Sequence, residues 1–475
     1  MSQSQLCFAS AGELARRIRT REISAAEVLR AHLDQIDRLN PQLNALVTLV
    51  DRPALLRAAE AADRAVAAGD RLGPLHGLPV AHKDLIPTRG LRTTYGSRVF
   101  ADNVPTQDGL IVERLRAAGA ITVGKTNTPE FGAGSQTVNA VFGATLNPWD
   151  TSKTCGGSSG GAAVAVATGM LPIADGTDLG GSLRNPGNFN NVVGFRPSSG
   201  RVPVWPRLDA WFTLSVQGVL ARSTADVALG LSAIAGPDAR APLAIDEPGS
   251  IFQQPLERDF RGVRIAWSEN LGGLPVDPRV TQVLESQRHV LSDLGCAVEA
   301  ADPDLREADD AFRVWRAWFF ELSYGQQLAE HRDILDDNVV WNIEEGRKLT
   351  SADLGRAALE RTRVHHRMRE FLDRYDFLVC PVNQVPPFDV RERWVHEIAG
   401  TRMDTYIDWM RSCYWISVTE LPAISVPCGF TPEGLPVGIQ IVGRHHADVA
   451  VLQLAHAFEQ ATRFGERRPP IAADR

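Results

Sequence analysis

The run Gly156-Gly157-Ser158-Ser159-Gly160-Gly161 constrains this chain more than any other segment. Glycine adopts backbone angles closed to other residues and lets the main chain approach whatever it faces. A flexible Gly/Ser linker is one reading of such a run. It fails here, because a small-residue helix over Ala162 to Thr168 follows at once, and linkers flank domains. A phosphate loop is a second reading, but neither G-x-x-x-x-G-K-[ST] nor a strand leading into G-x-G-x-x-G occurs.

The third reading is catalytic. In Gly176-Thr177-Asp178-Leu179-Gly180-Gly181-Ser182-Leu183-Arg184 a serine follows directly on a potential nest of backbone N–H groups. Acyl transfer needs that arrangement: a nucleophile beside donors aimed at the developing negative charge. Ser182 is therefore the candidate nucleophile. No G-x-S-x-G elbow is present, so an α/β-hydrolase triad is not supported.

The proton acceptor is sought in Ala81-His82-Lys83-Asp84. Of eleven histidines, only His82 lies near a motif. If residues 80 to 83 end a strand, His82 and Lys83 point to opposite faces and only one can serve. A lysine acts as a base once burial or a neighbouring cation lowers its pKa. The residues alone leave His82 and Lys83 both open.

Around these stretches the chain alternates strands and helices. Ser10-x-x-Glu13 and Ser24-x-x-Glu27 read as capping boxes of two helices, the second ended by Asn40-Pro41. A third helix spans roughly 53 to 68. Leu78 to Lys83, Ile121 to Val123 and Leu171 to Ala174 read as strands, and Leu110 to Ala118 as a helix stopped by Gly119. Residues 236 to 262 form a long connection, and 280 to 375 are helical. Strand texture returns at Phe377 to Val382, Ala423 to Pro427 and Val437 to Val442, before a last helix over Val449 to Ala461. This alternation predicts an α/β layer with a mostly parallel sheet, completed by the C-terminal part.

Net charge is −7, which argues against a nucleic-acid surface. The six cysteines are scattered without C-x-x-C spacing and read as buried thiols of a reducing compartment; Cys155, touching the glycine run, could be reactive instead. No zinc-site pattern, H-x-x-x-H pair or dinucleotide fingerprint occurs, so no metal and no cofactor is expected. No apolar h-region follows Met1 and no stretch approaches the ~20 apolar residues of a membrane span, so the expectation is a cytoplasmic protein. Six of the ten tryptophans (Trp315, Trp318, Trp341, Trp394, Trp409 and Trp415) lie in the helix-rich part. They fit helix packing, or an aromatic pocket for aryl or bulky acyl groups.

Together the motifs resemble the amidase signature family. Gly77-Leu78-Pro79-Val80 with Lys83 matches its G-[IL]-P-V strand and lysine, GGSSGG its glycine run, and Gly176 to Pro186 its G-T-D-x-G-G-S-x-R-x-P. The likeness extends through Gly124-Lys125-Thr126-Asn127, Asn147-Pro148-Trp149-Asp150, Leu421-Pro422-Ala423 and Pro436 to Gln440, nearly the whole chain. It implies one domain over 1–475, with a signature core at 65–235 and a helix-rich, substrate-lining insert at about 270–415. The implied fold is α/β, a large mixed, mostly parallel sheet covered by helices on both faces. The implied triad is Ser182, Ser158 and Lys83, with a cis Gly157–Ser158 bond. Backbone N–H groups of Leu179, Gly180, Gly181 and Ser182 would bind the oxyanion, while Ser159, Thr177, Asp178 and Arg184 orient the triad. Arg184 could instead meet a substrate carboxylate.

The expected partner is a small-molecule amide, with esters and carbamates as alternatives, and no nucleic acid or membrane; any self-association would give a homodimer. Four departures stand out: His82 for a small apolar residue, Ser417 for asparagine, Glu420 for glycine, and Thr128-Pro129 for the Met-Asp of the amidase chains of tRNA-dependent amidotransferases. The last weakens the amidotransferase reading. A non-catalytic binding protein on the same fold is the other alternative.

Overall fold

Every second residue of the central strands belongs to a different apolar cluster. On Phe377–Pro381, Phe377 and Val379 join one buried cluster while Leu378 and Cys380 join another. On Pro436–Gly443, Ile439 and Ile441 join the first and Val442 the second. Side chains alternate across a strand, so both faces of this sheet must be covered. That requirement explains why these strands read as continuous apolar runs.

The computed structural model describes residues 2–473. Its strands are β1 (Leu46–Leu49), β2 (Pro79–Lys83), β3 (Ile121–Thr126), β4 (Ile173–Asp178), β5 (Val193–Arg196), β6 (Val216–Ala221), β7 (Arg264–Trp267), β8 (Ala297–Ala300), β9 (Phe377–Pro381), β10 (Ala423–Phe430) and β11 (Pro436–Gly443). Two short two-stranded pairs lie outside this set. The large sheet has eight strands in the order β8-β7-β9-β11-β10-β5-β6-β4. A three-stranded sheet, β1-β3-β2, packs with β2 against β4.

The sheet is mixed, as expected, but it is not mostly parallel. Only β7 pairs in parallel, with β8 and β9. The neighbours β9–β11, β11–β10, β10–β5, β5–β6 and β6–β4 all run antiparallel. Strand–helix alternation misleads here because β6 inserts between β4 and β5, and because β10 and β11 form a hairpin.

The helices that position the site are α1 (Ala25–Leu43), α2 (Arg52–Ala68), α3 (Gly160–Ala167), α4 (Arg184–Phe189), α5 (Ala308–His331), α6 (Asp337–Arg347), α7 (Ser351–Arg374), α8 (Arg411–Thr419) and α9 (Asp448–Thr462). Every residue of α3 is buried, between the large sheet and the small one. Between β8 and β9 the chain leaves the sheet to build α5, α6 and α7; α5 packs on α6, α7 and α8, and α7 also on α8. No described helix is long and apolar enough to cross a membrane.

Three local expectations are corrected. Pro41 lies inside α1, which runs on to Leu43. The chain turns instead at Asn44 (φ 53°), and the Asn40 side chain accepts from the Ala45 and Leu46 amides at 2.9 and 2.8 Å. Ser24 and Glu27 do form a capping box, whereas Ser10 caps its helix alone. Glu13 is drawn away by Arg16 and Arg17. Finally, β4 starts at Ile173 and reaches Asp178, so Gly176-Thr177-Asp178 is strand.

The first turn of α3 yields a stability test. Replacing a helical glycine by alanine ordinarily stabilises by ~0.5–1 kcal/mol. At Gly161 a Cβ would lie 2.3 Å from the Asn127 nitrogen and 2.5 Å from the Ala45 carbonyl oxygen. Gly161→Ala is therefore expected to lower Tm, and an unchanged or higher Tm would show that this contact yields easily.

Candidate active site

Alternation along β2 sends its last two side chains to opposite sides. Lys83 turns toward the glycine-rich loops and is fully buried. Its Nζ donates to Ser158 Oγ at 2.6 Å, Ser159 Oγ at 2.9 Å and Thr177 Oγ1 at 2.9 Å. Burial pushes the Lys83 ammonium down to about 7, against the opposing pull of Asp178 and Asp175. His82 faces away: its Nδ1 lies 2.5 Å from Asp175 Oδ2 and its Nε2 3.0 Å from Thr122 Oγ1. Asp175 also accepts the Lys83 backbone N–H at 2.8 Å, which pins the end of the strand.

Ser158 precedes α3, and its peptide bond to Gly157 is cis. Ser182 lies in the loop joining β4 to α4, held by the Ser159 N–H donating to its carbonyl at 3.2 Å. The Ser182 residue retains 9% exposure amid a buried surround, enough to meet a small substrate. Gly181 takes φ +113°, and a Cβ there would strike Cys413 at 2.5 Å.

Asp178 organises that loop. Its fully buried carboxylate accepts from the Gly181 and Leu183 amides at 2.9 and 3.1 Å. It also accepts from Arg184 Nη2 and Nε at 3.0 and 3.1 Å and from Arg196 Nη1 at 3.2 Å. Burial alone would raise its pKa; Arg184 and Arg196 overcome this and hold the carboxyl well below the usual range. The Gly181 N–H is thus engaged by Asp178, a correction to its expected place among the oxyanion donors. The amides of Leu179, Gly180 and Ser182 make no hydrogen bond within the described residues.

Arg184 has no donor left for a substrate. Besides Asp178, it donates to the Cys413 carbonyl at 3.0 Å, Gln440 Oε1 at 2.6 Å and Ser417 Oγ at 2.7 Å. These contacts use all five guanidinium N–H groups, so the substrate-carboxylate alternative for Arg184 is withdrawn. The sequence reading missed Arg196. The signal was a lone arginine ending the apolar run Val192-Val193-Gly194-Phe195, since a cation in a buried strand needs a partner. Cys155 is fully buried, and burial pushes its thiol up to about 12, which keeps it protonated and unreactive. No group of three or more His, Cys, Asp or Glu among the described residues is arranged to hold a metal ion.

Aromatic side chains from α5 stand close to these loops. A Cβ on Gly180 would meet Phe312 at 2.8 Å, and Phe312 stacks on Tyr414 with centroids 4.1 Å apart. A Cβ on Gly132 would lie 3.5 Å from Ser158 Oγ, and the adjacent Phe131 stacks on Tyr324 at 4.1 Å. Trp315 and Trp318 are half-buried and meet edge-to-face, whereas Trp409 is core, stacked on Phe189.

Over residues 27–452 the chain matches the Amidase family. It is 35% identical to an acylamidase of Rhodococcus erythropolis across 99% of this chain and 98% of that one. A crystal structure of a bacterial aryl acylamidase superposes with a TM-score of 0.92 at 29% identity, covering 98% of this chain and 99% of that chain. Similarity also extends to one chain of the glutamyl-tRNA(Gln) amidotransferase of Moorella thermoacetica, at 34% identity across 98% of this chain and 99% of that one. The protein is a hydrolase of carbon–nitrogen bonds, and its substrates are small-molecule amides. The chain belongs to the amidase signature family.

Removing the charge of Asp178 would leave two buried guanidinium groups without an anion. Asp178→Asn is expected to cost about 3–5 kcal/mol of stability, read as a fall in the urea midpoint. A midpoint within error of the parent would show that Arg184 and Arg196 do not depend on it.

Proposed function

We propose that Ser182 attacks the amide carbonyl, Ser158 relays its proton, and Lys83 is the terminal base. The carrying observation is the Lys83 Nζ, buried, hydrogen-bonded to Ser158 at 2.6 Å and lowered to about 7. In the reacting state Lys83 is neutral and accepts a proton from Ser158 as Ser158 takes the proton of Ser182. The new C–O bond places negative charge on the carbonyl oxygen, which receives hydrogen bonds from the Leu179, Gly180 and Ser182 amides. Collapse breaks the C–N bond, and the proton on Lys83 returns through Ser158 to the leaving nitrogen. Water then attacks the acyl-enzyme by the same relay, releasing the acid. Ser159 and Thr177 orient the lysine; Asp178 and Arg184 hold the loop.

The preferred substrates are aryl or bulky apolar amides, with esters and carbamates presenting the same carbonyl geometry. Supporting this are the ring stacks beside Gly180 and Gly132 and the likeness to an acylamidase and an aryl acylamidase. The enzyme acts in the cytoplasm without a tRNA-binding partner; six buried, unpaired thiols fit a reducing compartment. An amidotransferase component would need partner chains and glutamine, so turnover of a simple anilide by the chain alone separates the two readings.

A fluorophosphonate probe is expected to label Ser182 and to be lost in Ser182→Ala, as located by peptide mass spectrometry. Labelling that persists in Ser182→Ala would place the nucleophile elsewhere. Lys83 is protonated, and unable to accept, below its depressed pKa. kcat/KM is therefore expected to rise with pH through about 7 and then level off. Lys83→Ala should abolish turnover while His82→Ala retains most of it; an active Lys83→Ala enzyme would refute the relay.

A further inference from the structure

Arg316 is a buried cation without a counter-charge. It is 4% exposed on α5 and makes no ion pair among the described residues. Its guanidinium lies over the rings of Phe320, Tyr406 and Phe312, at 4.8, 5.6 and 5.9 Å from their centroids. Nε donates to Asn342 Oδ1 at 3.0 Å and Nη2 to the Tyr406 hydroxyl at 2.6 Å. Nη1 meets no protein acceptor among the described residues. The Tyr406 hydroxyl accepts a second bond from Asn342 Nδ2 at 2.5 Å, which occupies both its lone pairs. Its own proton has no protein acceptor.

Three guanidinium N–H groups of Arg316 and the Tyr406 O–H are therefore unused at one buried position, and no acceptor among the described residues answers them. Leaving a cation buried and unpaired is costly, so the position favours a ligand that supplies negative charge. The surroundings tie it to the cleavage site. Phe312, one turn earlier on α5, lies against Gly180. Phe320, one turn later, shares a cluster with Phe131, whose neighbour Gly132 approaches Ser158. Tyr406 also lines a cavity of about 230 Å³ with Ser135, Gln136 and Trp409. Of the three carboxylates on that cavity, Glu130 accepts the Asp336 N–H at 2.6 Å and Asp336 pairs with Arg393 at 3.0 Å, while Glu392 is exposed at its rim.

We propose that Arg316 and the Tyr406 hydroxyl bind a carboxylate of the substrate, so that amides bearing an acid group beyond the scissile bond are preferred over neutral analogues. The proposal rests on the reading of Ser182 as the amide-cleaving centre, and it adds a specificity that the aromatic walls alone would not give. A two-donor, charge-assisted contact fits a carboxylate better than any apolar group.

Two matched pairs decide it: glutaranilate against hexananilide, with the acid on the acyl side, and N-pentanoyl-4-aminobenzoate against the 4-toluidide, with the acid on the amine side. In one pair the acid is expected to have at least about a tenfold higher kcat/KM, the size of one hydrogen bond to a charged group. Arg316→Met should bring that ratio to about one, whatever its absolute rate, while Arg316→Lys keeps part of it. Should Arg316→Met not fold, Tyr406→Phe, which removes only the hydroxyl, is expected to narrow the ratio. Neutral amides equal to or better than acids in both pairs, or a ratio unmoved by these substitutions, overturns the proposal. Calorimetry on Ser182→Ala separates the two readings. Acid-selective binding there without turnover in the parent would count against the Ser182 chemistry alone. Equal binding of acid and neutral amide would count against Arg316.

Discussion

On one carboxylate, that of Asp178, two buried guanidinium groups and two backbone amides converge. The last residue of β4 is thereby fixed to the loop that carries Ser182, and the loop can present its remaining amides in one direction. Arg184 extends the hold to the Cys413 carbonyl and Ser417 of α8 and to Gln440 of β11. Arg196 extends it to the carbonyl of Leu214 at 3.0 Å. Segments far apart in sequence are thus tied to a single anion, and the Ser182 loop is set by tertiary structure instead of by its own flexible glycines.

Two lysines are buried near one another in sequence motifs, and their partners assign them different work. Lys125 donates to the Ile86 carbonyl at 2.5 Å and to Thr88 Oγ1 at 2.8 Å, and burial lowers it to about 8. A carbonyl oxygen can only accept, so Lys125 gains from staying protonated. All three partners of Lys83 are hydroxyls, which can reverse direction and donate when the amine loses its charge. A neutral Lys83 can therefore accept from one of its hydroxyls, whereas a neutral Lys125 would still donate to the Ile86 carbonyl but lose the charge that strengthens that bond. Burial lowers both pKa values; the chemistry of the partners is what supports the proposal that Lys83, and not Lys125, acts as the base.

The motif residues were legible because each lies in a short, unusual segment. Lys83 ends a strand, the serines sit among glycines, and Asp178 and Arg184 flank Ser182. Arg196 and Gln440 were not, since each needs a partner more than a dozen residues away to acquire a role. The choice between His82 and Lys83 stayed open in the sequence because alternation says only that they diverge. Position adds what alternation lacks: Asp175 takes His82 on the other side, while Lys83 meets Ser158, which supports the lysine as the proposed base. Strand direction was misjudged for a related reason: periodicity reports burial and element type, whereas β6 lying between β4 and β5 is a property of the whole sheet. Of the tryptophans, Trp409 lies in the core, as the helix-packing reading expects, while Trp315 and Trp318 are half-buried.

Two of the four departures from the family pattern fall at one end of α8 and explain each other. Glu420 occupies a left-handed conformation at φ 63°, where glycine would be unstrained. Its carboxylate is engaged by Arg361 and by the Thr213 hydroxyl, contacts that glycine could not make. Those contacts join α7 and the segment after β5 to the end of α8. Ser417, one turn back, gives its hydroxyl to Arg184 and its carbonyl to Arg196 at 3.4 Å. The end of α8 is thereby fastened on one side to the helices that bring in the aromatic wall and on the other to the Asp178 cluster. The aromatic wall and the loop that carries Ser182 are consequently parts of one connected polar network, and a change in either must be accommodated by the other.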